Sequence, residues 1–197
     1  MFLQGRPYRS LLCSFLLGAL YALPYAFEWL FPLTFAALTL FFVLLLSEYE
    51  GGRRIFRCFY LFFFGFYLSL YHWLSALYPF DGFGFKDWQA VLVVLLACIG
   101  IPLYHALLHA ACMTASRLFP EKLRVWSFAP LWMAAEWVQS LGQLGFPWGR
   151  AALSQTAFLP FIQTASLFGS YFLCGVIVLG CALLAKALLE RRRVFAL

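Results

Sequence analysis

Charge is what this chain has least of. Asp, Glu, Lys and Arg make up 11% of its 197 residues, less than half of the share usual in a soluble domain. Hydrophobic residues account for 64%, aromatics for 21%, and the mean hydropathy is +0.86. Such a composition cannot cover a water-facing surface, so a soluble globular domain is excluded and an integral membrane protein is expected. The net charge of +6 does not point to nucleic acid. The basic residues come in short clusters between apolar runs, and no basic face is left to follow a phosphate backbone.

Other absences narrow the chemistry. The six cysteines (Cys13, Cys58, Cys98, Cys112, Cys174, Cys181) fall singly in or beside apolar runs, with no CxxC pair. They read as small buried packing residues, and no disulfide framework is expected. No Gly-rich phosphate loop, HExxH or Ser-His-Asp arrangement occurs, and no Cys, Lys and Glu fall together on the outer side as an activated nucleophile would require. No metal, no cofactor and no catalytic residue is expected within this chain.

What the chain does have is long uncharged runs. They predict an all-α polytopic protein with about six transmembrane helices in one domain, residues 1–197, with spans near 10–27, 29–47, 58–80, 88–116, 125–144 and 160–186. Each approaches the roughly 20 residues that cross a bilayer core of about 30 Å. The last helix is expected to begin near Pro160. Placing alternate loops on alternate sides puts 12 of the 14 basic residues on one side, leaving only Lys86 and Arg150 on the other. By the positive-inside rule both termini are cytoplasmic. The first run has a basic start, but Pro24 and the immediately following span suit an uncleaved helix better than a cleaved signal.

A few residues stand out against the lipid-like background. Glu136 lies inside PLWMAAEWVQS, where a carboxyl must face the bundle or a wet cavity, and Trp132 and Gln139 share its helical face. Its reading is open between a substrate-cavity group and a structural anchor. His105 and His109 are one turn apart and are expected to make interhelical hydrogen bonds, toward the cytoplasmic end. Trp73, Trp88, Trp137, Phe146 and Trp148 belong to an outer aromatic belt. Between the last two spans runs GQLGFPWGRAALSQ, where Pro147 and the glycines break the helix and Trp148 is placed to anchor at headgroup level.

The order YALPYAFEWLFPL, FFFGFYLSLYHWL and SRLFPEKLRVWSFAPLWMAAEWVQSLGQLGFPWGRAALSQ resembles the membrane part of the apolipoprotein N-acyltransferases. The densest stretch is Ala129–Gln155, where Pro130, Trp132, Glu136, Gly145, Phe146, Pro147, Trp148, Ser154 and Gln155 meet the family pattern. Two departures are Ala152-Leu153, where Gly-Tyr is usual, and Gln139, where a basic residue is common. The resemblance implies transfer of an acyl chain from a phospholipid donor to the diacylglyceryl-cysteine at a bacterial lipoprotein N-terminus, in the cytoplasmic (inner) membrane. It also implies a thioester on a cysteine of an outer nitrilase-like domain, assisted by Glu and Lys, between a seventh and an eighth span.

This chain stops at ERRRVFAL, after its sixth span. On its own it is therefore expected to be inactive, either truncated or partnered with a separate nitrilase-like catalytic chain. By the same resemblance the outer loop lies beneath that domain, and Trp148, Phe146, Pro147, Glu136 and Trp137 are the expected substrate-binding residues. The expected partners are the phospholipid donor, the lipoprotein N-terminus and membrane lipids. The alternative is a non-catalytic membrane scaffold or small transporter on the same helical frame; a transporter would more often carry an internal repeat, and none is visible.

Overall fold

A computed structural model describes residues 7–47, 51–79, 83–142 and 145–194, and among these every regular element is helical. Helix α1 is Pro7–Ala26; a 3-10 turn at Glu28–Leu30 leads into α2, Phe31–Ser47. Helix α3 is Gly52–Leu70, followed by a 3-10 stretch at His72–Leu77. Helices α4 (Asp87–Leu95) and α5 (Ile101–Thr114) are joined by a π-helical turn at Leu96–Gly100. Helix α6 is Glu121–Gln139, α7 Leu159–Ile162, α8 Ala165–Phe168 and α9 Ser170–Val194.

Four stretches, Tyr8–Ala26, Glu28–Ser47, Asp87–Leu118 and Ser170–Arg191, are long and apolar enough to cross a membrane. With its composition, this makes the chain an all-α membrane protein. Helices α3 and α6 are 19 residues each and carry charge in their first turns, at Arg53 and Arg54 and at Glu121, Lys122 and Arg124.

The helix ends differ from the uncharged runs. Helix α3 starts six residues before Cys58 and stops at Leu70, and α9 starts at Ser170 rather than near Pro160. Charged side chains extend a helix past the apolar run, because long stems let the charge reach water. Gly169, at φ +82, ends the short turn α8 and sets the start of α9. The expected span ends at residues 80 and 144 lie outside the described residues, as do Arg6, residues 80–82 of the second outer loop and residues 195–197.

The helices close into a ring. Helix α1 packs on α2 and α3, α3 on α5, α5 on α6, α6 on α9, and α9 on α2. Lipid tails are as apolar as leucine, so this association depends on close van der Waals fit rather than on expulsion of water. The α1 and α3 backbones come close: a Cβ on Gly18 would stand 1.9 Å from the Phe62 carbonyl oxygen, and one on Gly65 2.2 Å from that of Phe15. The interior is filled with rings, including Tyr21, Phe41, Phe62, Phe63, Phe66 and Trp132, all buried. Phe41 stacks on Phe62 at 4.1 Å and Phe42 on Phe128 at 5.0 Å.

Candidate functional site

The polar loop that interrupts the chain does not hang free. Residues 145–155 fold back onto one end of the ring, and side chains from the surrounding helices take up their backbone groups. Gln139 Nε2 donates to the Phe146 and Trp148 carbonyls at 3.0 and 3.2 Å. The Tyr25 hydroxyl reaches the Gly149 and Arg150 carbonyls at 3.2 and 3.1 Å. The Gln155 amide donates to the Phe31 carbonyl at 3.1 Å. Irregular backbone at membrane depth is tolerated only when its polar groups are satisfied inside the protein. Gly149 must be glycine here: its φ is +88, and a Cβ would stand 2.6 Å from Leu70 Cδ2 and 2.9 Å from the Phe66 ring.

Glu136 underpins this loop. Only 1% exposed, its Oε1 accepts from the Trp132 indole N–H at 2.8 Å and from the Ala151 backbone N–H at 2.9 Å. Beside it, Cys174 Sγ accepts from the Ala152 N–H at 3.3 Å. Arg150 turns outward from there: its guanidinium donates to Ser170 Oγ at 3.2 Å and to the Tyr171 hydroxyl at 2.8 Å, and lies 4.4 Å over the Tyr171 ring. Glu136 is thus engaged in holding the loop and does not line the cleft described below.

A second polar group ties α3 to α5. Tyr67 lies on α3 and Tyr71 caps its end one turn on, while His105 and His109 are one turn apart on α5. The Tyr71 hydroxyl lies 3.0 Å from His105 Nδ1, the Tyr67 hydroxyl 3.2 Å from His109 Nε2, and Tyr67 donates to Gln139 Oε1 at 3.0 Å. Crossed in this order, the two pairs match antiparallel helices. His105 sits level with the Phe146 ring, at the loop end. The expected position toward the cytoplasmic end is corrected by this contact. Counting from the apolar run misplaced it, because Asp87–Leu118 is 32 residues and roughly 48 Å long, far more than a bilayer core requires.

Trp148 is presented at the rim. It is 45% exposed and stacked between Trp73 (4.9 Å, 22°) and Phe146 (4.9 Å, 17°). Beside it opens a cleft of about 510 Å³ lined by Tyr25, Glu28, His72, Trp73, Trp148 and Gly149, among others. Phe146 lies behind the stack against Tyr71 and His105, and Pro147 connects the two rings in the chain. Trp137, 54% exposed, is one residue past Glu136 and so on another face of α6; it is not part of the cleft wall. Tyr25 and Tyr67 did not stand out in a chain this rich in aromatics, and Tyr71 reads from the sequence only as one more ring of the aromatic belt. The signal for Tyr67 and Tyr71 is the paired one-turn spacing, Tyr67/Tyr71 facing His105/His109.

Residues 17–183 match the family model described as the apolipoprotein N-acyltransferase N-terminal domain. The chain belongs to this family. Among similar proteins, an apolipoprotein N-acyltransferase of Gloeobacter violaceus is 30% identical over 130 residues, 64% of this chain and 25% of that protein. Apolipoprotein N-acyltransferase 2 of Treponema denticola is 30% identical over 132 residues, covering 64% and 23%. A shorter match of 48 residues at 42% identity is to apolipoprotein N-acyltransferase 1 of Treponema pallidum. The chain spans about a quarter of the length of the first two. The bundle, the pinned loop and the Trp148 rim all fall within the residues that match this family. Among the described residues no three of His, Cys, Asp or Glu are placed to hold a metal ion.

Proposed function

We propose that this chain is the membrane-embedded part of an enzyme that moves an acyl chain from a phospholipid to the N-terminal diacylglyceryl-cysteine of bacterial lipoproteins. It would lie in the inner membrane as six spans with both termini cytoplasmic. Family membership supports the reaction class. The observation that carries the role of this part is the loop 145–155, fastened by Gln139, Tyr25 and Glu136 so that Trp148 borders an outer cleft. A rim so held would position lipid substrates for a nitrilase-like domain, in the same polypeptide or a partner chain, that supplies the nucleophilic cysteine.

The cysteines described here are poor candidates for that nucleophile. Cys174 is fully buried, with the Ala152 backbone N–H of the loop on its sulfur, and a catalytic thiol needs access and a stabilised thiolate. The test is a chimera in which this chain replaces the N-terminal domain of the Gloeobacter violaceus relative, assayed by the mass gain of a diacylated lipopeptide. The chimera should transfer an acyl chain and the chain alone should not. Trp148→Ala should lower the rate about tenfold, as expected for roughly 1.4 kcal/mol of lost positioning, with membrane insertion unchanged. An inactive chimera that inserts normally would overturn the assignment, and an unaltered Trp148→Ala rate would remove Trp148 from it.

A further inference from the structure

The cleft beside Trp148 is biased in charge. Among the described residues that line it, Glu28 alone carries a fixed charge, and no lysine or arginine is among them. Arg150, close by in the loop, is turned outward onto Ser170 and Tyr171.

The tight connection between α1 and α2 sets Glu28 in this position. The Leu30 N–H bonds to the Phe27 carbonyl at 2.9 Å, and the Phe31 N–H bonds to the Glu28 carbonyl. Just before the turn, Tyr25 is fastened to the Gly149 and Arg150 carbonyls, which brings the turn against the loop. The Glu28 side chain is exposed and makes no hydrogen bond or ion pair among the described residues.

The other polar groups of the cleft share this bias. His72 Nδ1 lies 2.7 Å from the Ser69 carbonyl, which only accepts, so Nδ1 carries a proton. The neutral ring therefore offers the lone pair of Nε2. The stacked indoles of Trp73 and Trp148 add electron-rich surface, which attracts cations. A carboxylate, an imidazole lone pair and indole rings together complement a group with positive charge and several N–H donors.

We propose that this cleft receives a primary ammonium and that Glu28 selects it, the ammonium being the α-amino group of the lipoprotein's N-terminal cysteine. The identity of the amine rests on the acyl-transfer reading above. A phospholipid head is not the occupant. Even one that carries an ammonium holds a phosphodiester beside it, and the described lining has no cation to meet that charge. Glu28 is thus a specificity-determining residue for the acceptor.

The test uses the whole chain in nanodiscs of phosphatidylglycerol, which brings no amine. The probe is a diacylglyceryl-cysteinyl peptide without lysine that carries a diazirine next to the cysteine. Its α-amino group is either free or acetylated. After irradiation, mass spectrometry reads the label on the peptides holding Glu28, Trp73 and Trp148, relative to the rest of the chain. The free amine should label them about fivefold more than the acetylated one, the upper range for an exposed ion pair. Glu28→Gln should erase that preference by lowering only the free-amine signal, and Glu28→Asp, which keeps the charge, should retain part of it. Replacing some of the lipid by phosphatidylethanolamine should leave the preference in place. Its loss there would hand the cleft to the lipid head and overturn the assignment to the peptide amine. Equal labelling by the two probes, or none, would overturn the proposal, as would wild-type preference in Glu28→Gln. No acyl transfer is measured, so these outcomes leave the result of the chimera standing.

Discussion

Glu136 tolerates its place between helices because two donors converge on one of its oxygens, the Trp132 indole and the Ala151 backbone. The first is one turn back on its own helix and follows from spacing alone. The second arrives from 15 residues on in the chain and exists only because the loop folds back. Removing the carboxyl leaves both donors buried, at roughly 1–3 kcal/mol each, and releases the loop. Glu136→Ala should therefore lower the thermal unfolding midpoint in detergent and expose residues 145–155 to hydrogen exchange, whereas Glu136→Gln, which keeps an acceptor oxygen, should change both much less. Equal losses in the two variants would mean that charge, and not acceptance, is what the site uses. Gln139 is the other residue whose role the loop reveals. At a position where the family often has a basic side chain, its amide accepts from Tyr67 and donates to two loop carbonyls, and no guanidinium could do the accepting.

At the scale of elements, the existence of the helices was legible and their ends were not. Uncharged runs marked where helices had to lie, because every backbone group in lipid must bond within its own segment. They did not mark where helices stop. Arg53 and Arg54 lie inside α3, and Gly169 delays α9 to Ser170. Small residues pointed to close packing without saying which glycines meet a neighbour. Gly18 and Gly65 each abut a carbonyl of the partner helix, whereas Gly180 meets nothing within 4 Å. Gly18→Ala should push α1 off α3 and cost about 1–3 kcal/mol, as overpacking does. Gly180→Ala, in an open part of α9, should be neutral or stabilise by up to roughly 1 kcal/mol. Denaturant titrations of the two variants, read by tryptophan fluorescence, check the contrast. Matching losses would mean that helix propensity and not contact governs both.

For the whole molecule, the charge distribution is the strongest signal, with 12 of 14 basic residues on one side of the expected topology. An impermeant maleimide should label Lys86→Cys in intact spheroplasts and Glu190→Cys only after permeabilisation; the native cysteines are buried or half-buried and give little background. The reverse pattern would invert the topology. By itself the sequence determined that the chain is a helical membrane protein and which family it joins, because hydropathy, charge bias and the GFPW block are local in the chain. Only the tertiary structure decided the order around the ring, the pairing of Tyr67 and Tyr71 with His109 and His105, and the fastening of the loop by Gln139, Tyr25 and Glu136. Those depend on which helix faces which, and in lipid that choice is made by shape fit and hydrogen-bond partners far apart in sequence, to which composition and periodicity are blind.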